Sequence, residues 1–264
     1  MSETTLRLLW AIPWAAFAIT IIAAGGGIFA AAVALIAAVC IGELFNMARA
    51  AKPLAGAAML ACFAVIAAAF FGDQFQILLA LMASFPVLFA FVVMRGTIER
   101  VTASVAVTVL GIVWIGVPFA HAVLLRELPD HGGALLVDVL VATIVADTAA
   151  YMGGRAFGHH PLSPAISPNK TMEGLAFGVL GGIVGFWLAG LYQDWLPGTD
   201  ALIMGAVIAV FAPIGDLFES MVKRDLSVKD SGTAVGPHGG LLDRLDAVLF
   251  TIVAGYYLSI WLVY

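Results

Sequence analysis

The chain has 264 residues, of which 62% are hydrophobic and 11% are charged, and its mean hydropathy is +1.06. This composition excludes a soluble globular protein of this size and predicts a polytopic membrane protein. The net charge of −5 says little about partners, because the position of each charge matters more in a membrane chain, and nothing in the sequence favours nucleic-acid binding.

Long apolar runs divide the chain, with glycine clusters, prolines and charged residues between them. Runs of this length predict membrane-spanning helices, and none shows the strict alternation of a barrel strand. The predicted spans are residues 9–24, 28–47, 55–71, 75–94, 103–125, 134–152, 174–192, 201–222 and 247–264. Only Gly25, Gly26 and Gly27 separate the first two, so a re-entrant hairpin and a count of eight are an alternative. The predicted fold class is all-α, a polytopic integral membrane helix bundle of about nine transmembrane helices.

Basic residues are distributed unevenly between the loops on the two sides of these spans. Eleven of the 12 fall on one side: Arg7, Arg49, Lys52, Arg95, Arg100, Arg155, Lys170, Lys223, Arg224, Lys229 and Arg244. Only Arg126 falls on the other side. The positive-inside rule then predicts that the basic side and the N-terminus are cytoplasmic.

Several smaller features of the apolar runs have simple structural interpretations. Cys40 and Cys62 both lie within apolar runs, which predicts buried free thiols and not a disulfide. The glycine pairs of span 7 favour close helix packing. No small-residue cleavage site follows the first basic residue, which predicts a retained first helix and not a removed signal peptide.

The stretch 211–246 concentrates charge in an otherwise apolar chain, with 10 of its 29 charged residues (12 basic and 17 acidic). Asp216 and Glu219 lie near the end of one apolar helix, and the segment LLDRLD opens another. The loop between them is cationic and rich in glycine. Basic groups and backbone N–H groups suit phosphate, whereas clustered carboxylates suit a hard cation such as Mg²⁺. The two together predict a site for a metal–nucleotide.

Acidic residues inside or at the ends of the apolar spans 6, 8 and 9 point to a cation site. The set consists of Asp138, Asp147, Asp216, Glu219, Asp243 and Asp246. For a single acid, a structural role (a helix cap or a charge that reaches the interface) explains the position as well as a functional role does. Several acids at one face favour a bound cation. Asp216, Ser220 and Lys223 share one helix face, and Asp243 and Asp246 share another. Asp138 lies near the opposite end of span 6, which predicts a structural role.

A second polar loop, residues 147–174, ends at a helix start. Thr171 and Glu173 are predicted in the first turn of span 7, and residues 167–170 would leave free N–H groups for a phosphate. An ordinary capped loop is the alternative. His159 and His160 are interpreted as solvated loop residues, and His238 either contacts a phosphate or fixes a turn.

These two polar stretches resemble the signature of bacterial phosphatidate cytidylyltransferases, also called CDP-diacylglycerol synthases. The matching residues of the charged stretch are Ser220, Lys223–Arg224, Lys229–Asp230, Gly236–Pro237–His238–Gly239–Gly240 and Asp243–Arg244–Leu245–Asp246. Those of the second loop are Asp147, Ala150–Tyr151, Gly154–Arg155, Phe157–Gly158, Leu162–Ser163–Pro164, Ile166–Ser167–Pro168, Lys170–Thr171 and Glu173–Gly174. Val235, Ser231 and Ala247 depart from the usual pattern, and none of them removes a polar group of the signature. Before Asp147 the resemblance is only general.

The resemblance implies that CTP and phosphatidate react to CDP-diacylglycerol and pyrophosphate, with Mg²⁺, at the cytoplasmic face of the bacterial inner membrane. The predicted catalytic residues are Asp216, Lys223, Arg224, Lys229, Asp230, Asp243, Arg244 and Asp246, and the metal ligands among them are Asp216, Asp243 and Asp246. The predicted substrate-binding residues are Asp147, Arg155, Ser167, Lys170, Thr171, Ser220, His238, Gly239 and Gly240. The sequence leaves open whether a second, monovalent cation takes part and whether the protein forms a homodimer.

The predicted organisation is one transmembrane domain, residues 1–264. It consists of less specific N-terminal helices (1–146), the region similar to the family (147–246) and a last helix (247–264). Two other functions fit the same residues. A CTP-dependent kinase of a lipid alcohol, such as a polyprenol, would transfer the γ-phosphate. An ion-coupled transporter would also carry intramembrane acids, but near the midplane and with internal repeats, which this sequence lacks.

Overall fold

The structure, a computed structural model, describes residues 3–234 and 239–264, and their side chains from residue 13 onward. The helices in these ranges are α1 (Glu3–Ala24), α2 (Gly26–Met47), α3 (Ala55–Phe71), α4 (Gln74–Arg95), α5 (Val101–Gly111), α6 (Val117–Arg126), α7 (Gly132–Phe157), α8 (Met172–Gly190), α9 (Gly198–Asp225) and α10 (Leu242–Leu262). A π-helical turn, Ile112–Gly116, joins α5 to α6. Two short strands, β1 (Pro161–Ser163) and β2 (Ser167–Thr171), form an antiparallel hairpin before α8.

Every predicted span overlaps one of these helices, with α5 and α6 forming the single span Val101–Arg126. Seven helices in the described ranges are long and apolar enough to cross a membrane, and the shorter apolar helices are Pro13–Ala24 and Ala55–Phe71. Helices satisfy all their backbone hydrogen bonds internally, which hydrocarbon requires. The predicted class, an all-α multi-pass membrane protein, is therefore confirmed. The number of crossings and the orientation stay predictions.

The described residues group into two compact units. The N-terminal unit comprises Met1–Pro129 and Asp230–Asp243, and the C-terminal unit comprises Asp130–Lys229 and Arg244–Tyr264. In the N-terminal unit, α3 contacts α2, α4 and α6. Cys40 and Cys62 are buried and free, as the sequence predicts. The interpretation of the chain as one domain stays a prediction.

A two-glycine turn connects α1 to α2. Gly25 and Gly26 have φ angles of 61° and 51°, a conformation that glycine adopts without steric cost. Nε of Arg126 donates to the carbonyl oxygen of Ile22 at 2.6 Å, and the Glu127 carboxylate accepts the N–H of Gly26 at 2.9 Å. The single basic residue of the predicted outer side thus satisfies a carbonyl group at the end of a helix.

Glycines also bring the helices of the C-terminal unit close together. A Cβ atom at Gly182 of α8 would lie 2.6 Å from Cβ of Ala209 in α9. A Cβ atom at Gly215 of α9 would lie 2.4 Å from the carbonyl oxygen of Asp246 in α10. The predicted packing role of the span 7 glycines is confirmed, and the close contact of α9 with α10 brings their polar residues together.

Candidate active site

A cavity of about 530 Å³ lies in the C-terminal unit between α7, the β-hairpin, α8 and α9. Its polar lining side chains are Asp147, Tyr151, Arg155, Ser167, Asn169, Lys170, Thr171 and Asp216. Apolar side chains, among them Leu162, Leu175 and Pro213, complete the walls. A cavity with charged and apolar walls is suited to a ligand that has both a charged and an apolar part.

An ion pair between Lys170 and Asp216 crosses this cavity. Nζ of Lys170, at the end of β2, lies 2.5 Å from Oδ2 of Asp216 on α9, and the two side chains are 24% and 35% exposed. Ser220 donates to Oδ1 of the same carboxylate at 3.5 Å, as expected for two residues on one helix face. The hairpin and α9 therefore place one cation and one anion in contact inside the cavity.

Further carboxylates lie near Asp216. Asp246 of α10 is 8% exposed and interacts electrostatically with Asp216, Glu219 and Asp147. Its Oδ1 accepts the N–H of Ala247 at 2.8 Å. Like charges at short range repel one another strongly where water is scarce, so this cluster needs cations beside it. Lys170 is one of these cations.

A second ion pair lies one turn further along α9. Nζ of Lys223 lies 2.5 Å from Oε2 of Glu219, and the side chains are 15% and 1% exposed. Residues four apart on a helix are neighbours, which explains the pairing. Lys223, predicted from its spacing to share a face with Asp216, is thus bound to the neighbouring acid of the same helix.

The donor set of this cluster fits a hard divalent cation. Mg²⁺ prefers oxygen ligands, and proteins commonly hold it with one or two carboxylates beside substrate phosphates and water. Among the described side chains, no three of His, Cys, Asp or Glu are arranged to hold a metal ion by themselves. Asp216, with Asp147 and Asp246 as its acidic neighbours, therefore fits an ion that is shared with a bound phosphate.

The start of α8 differs from the sequence prediction. Residues 167–170 belong to strand β2, in which Ser167 pairs with Ser163 and Thr171 with Pro161 of β1, so they form a strand and not the start of the helix. Thr171 is the N-cap, and its hydroxyl accepts the N–H of Gly174 at 3.1 Å. The N–H of Met172 donates to the carbonyl oxygen of His160 at 2.9 Å. The residues expected to offer free N–H groups at a helix start thus form part of a strand, and the side chains of Ser167, Lys170 and Thr171 line the cavity.

Histidines of the same loop support the hairpin from outside the cavity. The carboxylate of Glu173 pairs with Nδ1 of His160 at 2.5 Å and accepts the N–H groups of His159 and His160. His160 is 80% exposed. The interpretation of both histidines as loop residues agrees with these positions, and Glu173 connects the loop to the first turn of α8.

The remaining basic candidates occupy different places in the C-terminal unit. Arg155 donates to the hydroxyl of Tyr151 at 3.2 Å beside the cavity. Nε of Arg224 donates to the carbonyl oxygen of Ile166 at 3.3 Å, which connects the end of α9 to the hairpin turn. Lys229 and Arg244 are exposed. Cationic groups therefore lie in the cavity, at the end of α9 and on the surface.

The other part of the predicted site belongs to the N-terminal unit. The Asp243 carboxylate accepts the N–H of Ser231 at 3.0 Å and that of Gly240 at 2.8 Å. Gly239 has a φ of 86°, and Asp230 is exposed. His238 lies outside the described residues. Asp243 is thus held by the loop that precedes it, and its role as a metal ligand stays a prediction.

A buried glutamate on α2 contacts the same loop and has no counterpart among the predicted residues. Glu43 is 7% exposed, and its carboxylate accepts hydrogen bonds from Ser231, Leu241 and Leu242. Its position, a lone acid inside an apolar run, gave no sequence signal of this contact. Tyr151 and Asn169 are two further cavity residues to which the sequence assigned no role.

The structure brings together Asp147, Arg155, Ser167, Lys170, Thr171 and Asp216 around one cavity, with Ser220 and Asp246 beside it. Asp138, predicted to be structural, is fully buried on α7 and accepts a hydrogen bond from the amide of Gln193 at 2.7 Å.

Comparison with known proteins identifies the family of this chain. The model of the cytidylyltransferase family matches residues 5–261. An uncharacterized protein of Escherichia coli, YnbB, is 41% identical over 150 residues, which are 54% of this chain and 50% of that protein. The phosphatidate cytidylyltransferase of Bacillus subtilis is 36% identical over 153 residues, 56% of each chain. That of Helicobacter pylori strain J99 is 41% identical over 141 residues, 50% of this chain and 51% of that enzyme.

The chain thus spans about half the length of the curated relatives that it matches. The family model, in contrast, covers nearly all of it, including the cavity residues and the loop that contacts Glu43. The protein belongs to the cytidylyltransferase family.

Proposed function

We propose that this protein is a phosphatidate cytidylyltransferase, which converts CTP and phosphatidate to CDP-diacylglycerol and pyrophosphate. The observation that carries the proposal is the cavity in which Lys170 and Asp216 meet, in a membrane protein of the cytidylyltransferase family. Relatives from two bacteria are named phosphatidate cytidylyltransferases. This chain matches only about half the length of those enzymes, so the activity and both substrates are part of the proposal.

The reaction needs positioning and charge neutralisation more than acid–base chemistry. The phosphate of phosphatidate is an anion near neutral pH, and one of its oxygens attacks the α-phosphorus of CTP. The bond between the α-phosphorus and the bridging oxygen breaks, and pyrophosphate leaves with that oxygen. Because the nucleophile is already deprotonated, fixed cations and hydrogen-bond donors can supply most of the rate acceleration.

The cationic wall of the cavity is suited to the phosphates of these substrates. Lys170, Arg155 and the hydroxyl of Ser167 line it together. The hydroxyl of Thr171 accepts the Gly174 N–H and still has its own hydrogen to donate. Farther out, Lys223, Arg224, Lys229 and Arg244 are proposed to neutralise the triphosphate and the lipid phosphate.

Magnesium is the proposed cofactor. Asp216 would hold it, with Asp147 and Asp246 as neighbouring carboxylates and Asp243 as the ligand predicted from the sequence signature. When bound, the ion would add positive charge beside the phosphates of CTP. Lys170 neutralises Asp216 in this structure, so the lysine can turn to a phosphate once another cation neutralises the carboxylate.

We place the site at the cytoplasmic face of the bacterial inner membrane. The positive-inside rule supports this orientation, because 11 of the 12 basic residues are predicted to lie on one side of the membrane. Around the cavity, exposed apolar side chains such as Met152 and Phe177 offer a surface for lipid. A charged headgroup could then bind inside the cavity while the acyl chains stay between the helices and the bilayer.

The test uses the purified protein with Mg²⁺, phosphatidate and CTP labelled at the α-phosphorus. We expect the label to enter the lipid and unlabelled pyrophosphate to appear in equal amount. A parallel reaction with CTP labelled at the γ-phosphorus should leave the lipid unlabelled. Transfer of the γ-label to a lipid alcohol, with the α-label left in soluble CDP, would replace the proposal by a CTP-dependent lipid kinase.

A further inference from the structure

Glu43 of α2 connects two distant parts of the N-terminal unit. Its Oε1 accepts the N–H of Leu241 at 2.9 Å, and its Oε2 accepts the N–H of Leu242 at 2.8 Å and the hydroxyl of Ser231 at 3.2 Å. The residue is 7% exposed, so these bonds form almost without competition from water. Both oxygens of one buried carboxylate therefore bind the loop that precedes α10.

Two glycines of the loop allow this close approach. A Cβ atom at Gly232 or at Gly240 would lie 2.7 Å from an oxygen of the Glu43 carboxylate, closer than a carbon atom can stay. At Gly240 the added atom would also lie 2.0 Å from the hydroxyl oxygen of Ser231. Glycine at these two positions of the loop thus leaves the space that the carboxylate of Glu43 occupies.

Glu43 also supplies the cap of α10. The first N–H groups of a helix have no acceptor within it, and a carboxylate beside them is favourable for both hydrogen bonding and the helix dipole. Leu242 is the first residue of α10, and Leu241 precedes it. Asp243, one residue further, accepts the N–H groups of Ser231 and Gly240. Glu43 and Asp243 therefore hold the two ends of the same loop, Ser231 at one end and 240–242 at the other.

We propose that Glu43 is a positioning residue for the cytidylyl transfer: it fixes the ends of the loop and so sets the orientation of the Asp243 carboxylate. The proposal rests on the proposed function, since Asp243 belongs to the predicted metal ligands. Glu43 itself is no candidate for substrate contact, because it is buried and both its oxygens bind the loop. Its effect on the reaction passes through the residues that it holds.

The test compares Glu43→Ala and Glu43→Gln with Asp73→Ala. Asp73 is the N-cap of α4 in the same unit, and its carboxylate accepts the N–H of Phe75 at 2.7 Å, so this control removes a structural carboxylate that does not contact the loop. The first measurement is amide hydrogen exchange of peptides covering residues 229–243. The second is kcat and KM for CTP, with unfolding temperatures for all variants.

We expect Glu43→Ala to speed exchange at Leu241 and Leu242 at least tenfold and to lower kcat at least tenfold, with KM for CTP changed less than threefold. Glu43→Gln keeps one acceptor oxygen and should give smaller changes in the same direction. Should Glu43→Ala fail to insert, Glu43→Gln carries the test. Asp73→Ala should lower the unfolding temperature to a similar degree but leave loop exchange and kcat within twofold of the wild type.

Unchanged exchange in the loop would overturn the anchoring. Faster exchange with normal kcat would overturn the positioning role, as would an equal loss of kcat in Asp73→Ala. A wild-type protein that fails to transfer cytidylyl groups would refute the proposed function instead, and the exchange measurement would still decide whether Glu43 anchors the loop.

Discussion

Lys170 occupies the place beside Asp216 where a cation is needed. The carboxylate belongs to a cluster with Asp147 and Asp246, and an ion pair of 2.5 Å neutralises one of its negative charges. A lysine at such a position can serve two purposes, to hold the cavity together without substrate and to bind phosphate with substrate. The two purposes can be separated by substitutions at each partner.

Asp216→Asn should lower turnover about a hundredfold or more, because the amide keeps the size of the side chain but removes the charge that a metal requires. Loss of one metal-directed interaction in a transition state costs about 3 kcal/mol, which corresponds to that factor. Turnover at saturating CTP and the yield of inserted protein are the measurements. Asp138→Asn is the matched control: it changes a buried acid of the same unit that bonds Gln193, and it should keep most of the activity. Near-normal turnover of Asp216→Asn with unchanged Mg²⁺ dependence would remove Asp216 from the metal site.

Lys170→Ala should lower kcat/KM for CTP roughly 10- to 100-fold, since a cation of the cavity is lost, a change of about 1.4–2.8 kcal/mol. The same substitution should tighten the binding of Mn²⁺, used as a probe of the metal site and followed by electron paramagnetic resonance, because the lysine no longer competes for Asp216. Lys52→Ala, which breaks an exposed pair with Glu99, serves as the control and should leave both quantities within about twofold. Weaker Mn²⁺ binding in Lys170→Ala would contradict the competition between the lysine and the metal.

Among the elements, the turn between α1 and α2 depends on a residue from the other end of the unit. Arg126, at the end of α6, donates to the carbonyl oxygen of Ile22, and a Cβ atom at Gly25 would lie 2.4 Å from its guanidinium group. The glycine is therefore needed both for its positive φ and for the space that the arginine takes. The turn and the end of α6 form one interlocked contact.

Arg126→Ala should destabilise the protein by about 1.5–3 kcal/mol, the usual contribution of a charged hydrogen bond to a group that is otherwise left unsatisfied. Thermal unfolding of the detergent-solubilised protein measures the effect. Arg49→Ala removes an exposed arginine near the end of α2 and should change stability by less than about 0.5 kcal/mol. Equal unfolding temperatures of both variants would show that the bond to Ile22 contributes nothing.

The ends of a helix were predictable where helix-breaking residues flank an apolar run. Span 55–71 and helix α3 coincide, because Pro53 and Gly72 flank the run. The π-helical turn Ile112–Gly116 was not predictable, because its residues are as apolar as those on either side. The β-hairpin was missed for another reason: β2 reads Ser-Pro-Asn-Lys-Thr, a sequence with little strand propensity, and only pairing with β1 makes it a strand.

For the molecule as a whole, the distribution of basic residues leads to a test of topology. Both native cysteines are buried and fully inaccessible, so a cysteine introduced in a loop is the reactive thiol. Lys229→Cys should react with a membrane-impermeant maleimide only from the cytoplasmic side, and Asp130→Cys only from the outer side, because a positive-inside arrangement separates the two loops. Inverted vesicles and intact cells provide the two directions of labelling. Reaction of both thiols from one side would refute the predicted number of crossings between them.

The sequence identified many residues of the candidate site but not the contacts between them. Asp147, Lys170 and Asp216 stand out in the sequence because charge is rare in this chain, and the structure lines one cavity with them. Which cation pairs with which acid was not predictable: Lys223 shares a face with Asp216 by spacing but pairs with Glu219. Glu43 was missed although it is an acid inside an apolar run, and its contact with the loop before α10 was not predictable, because its partners lie 188 to 199 residues away and no local pattern reports such a contact.

The separation between Glu43 and its partners also determines the order in which the protein can be completed during synthesis. Leu242 follows Glu43 by 199 residues, so at about 5–20 residues per second the ribosome adds the last hydrogen-bond donor roughly 10–40 s after the glutamate. Through that interval α2 carries an acid inside an apolar helix, a costly state in hydrocarbon unless water, a proton or another chain relieves it. A nascent chain that stops before residue 241 leaves this acid without the two N–H groups that it binds in the finished protein. The N-terminal unit is therefore the first to be synthesised and among the last to be complete.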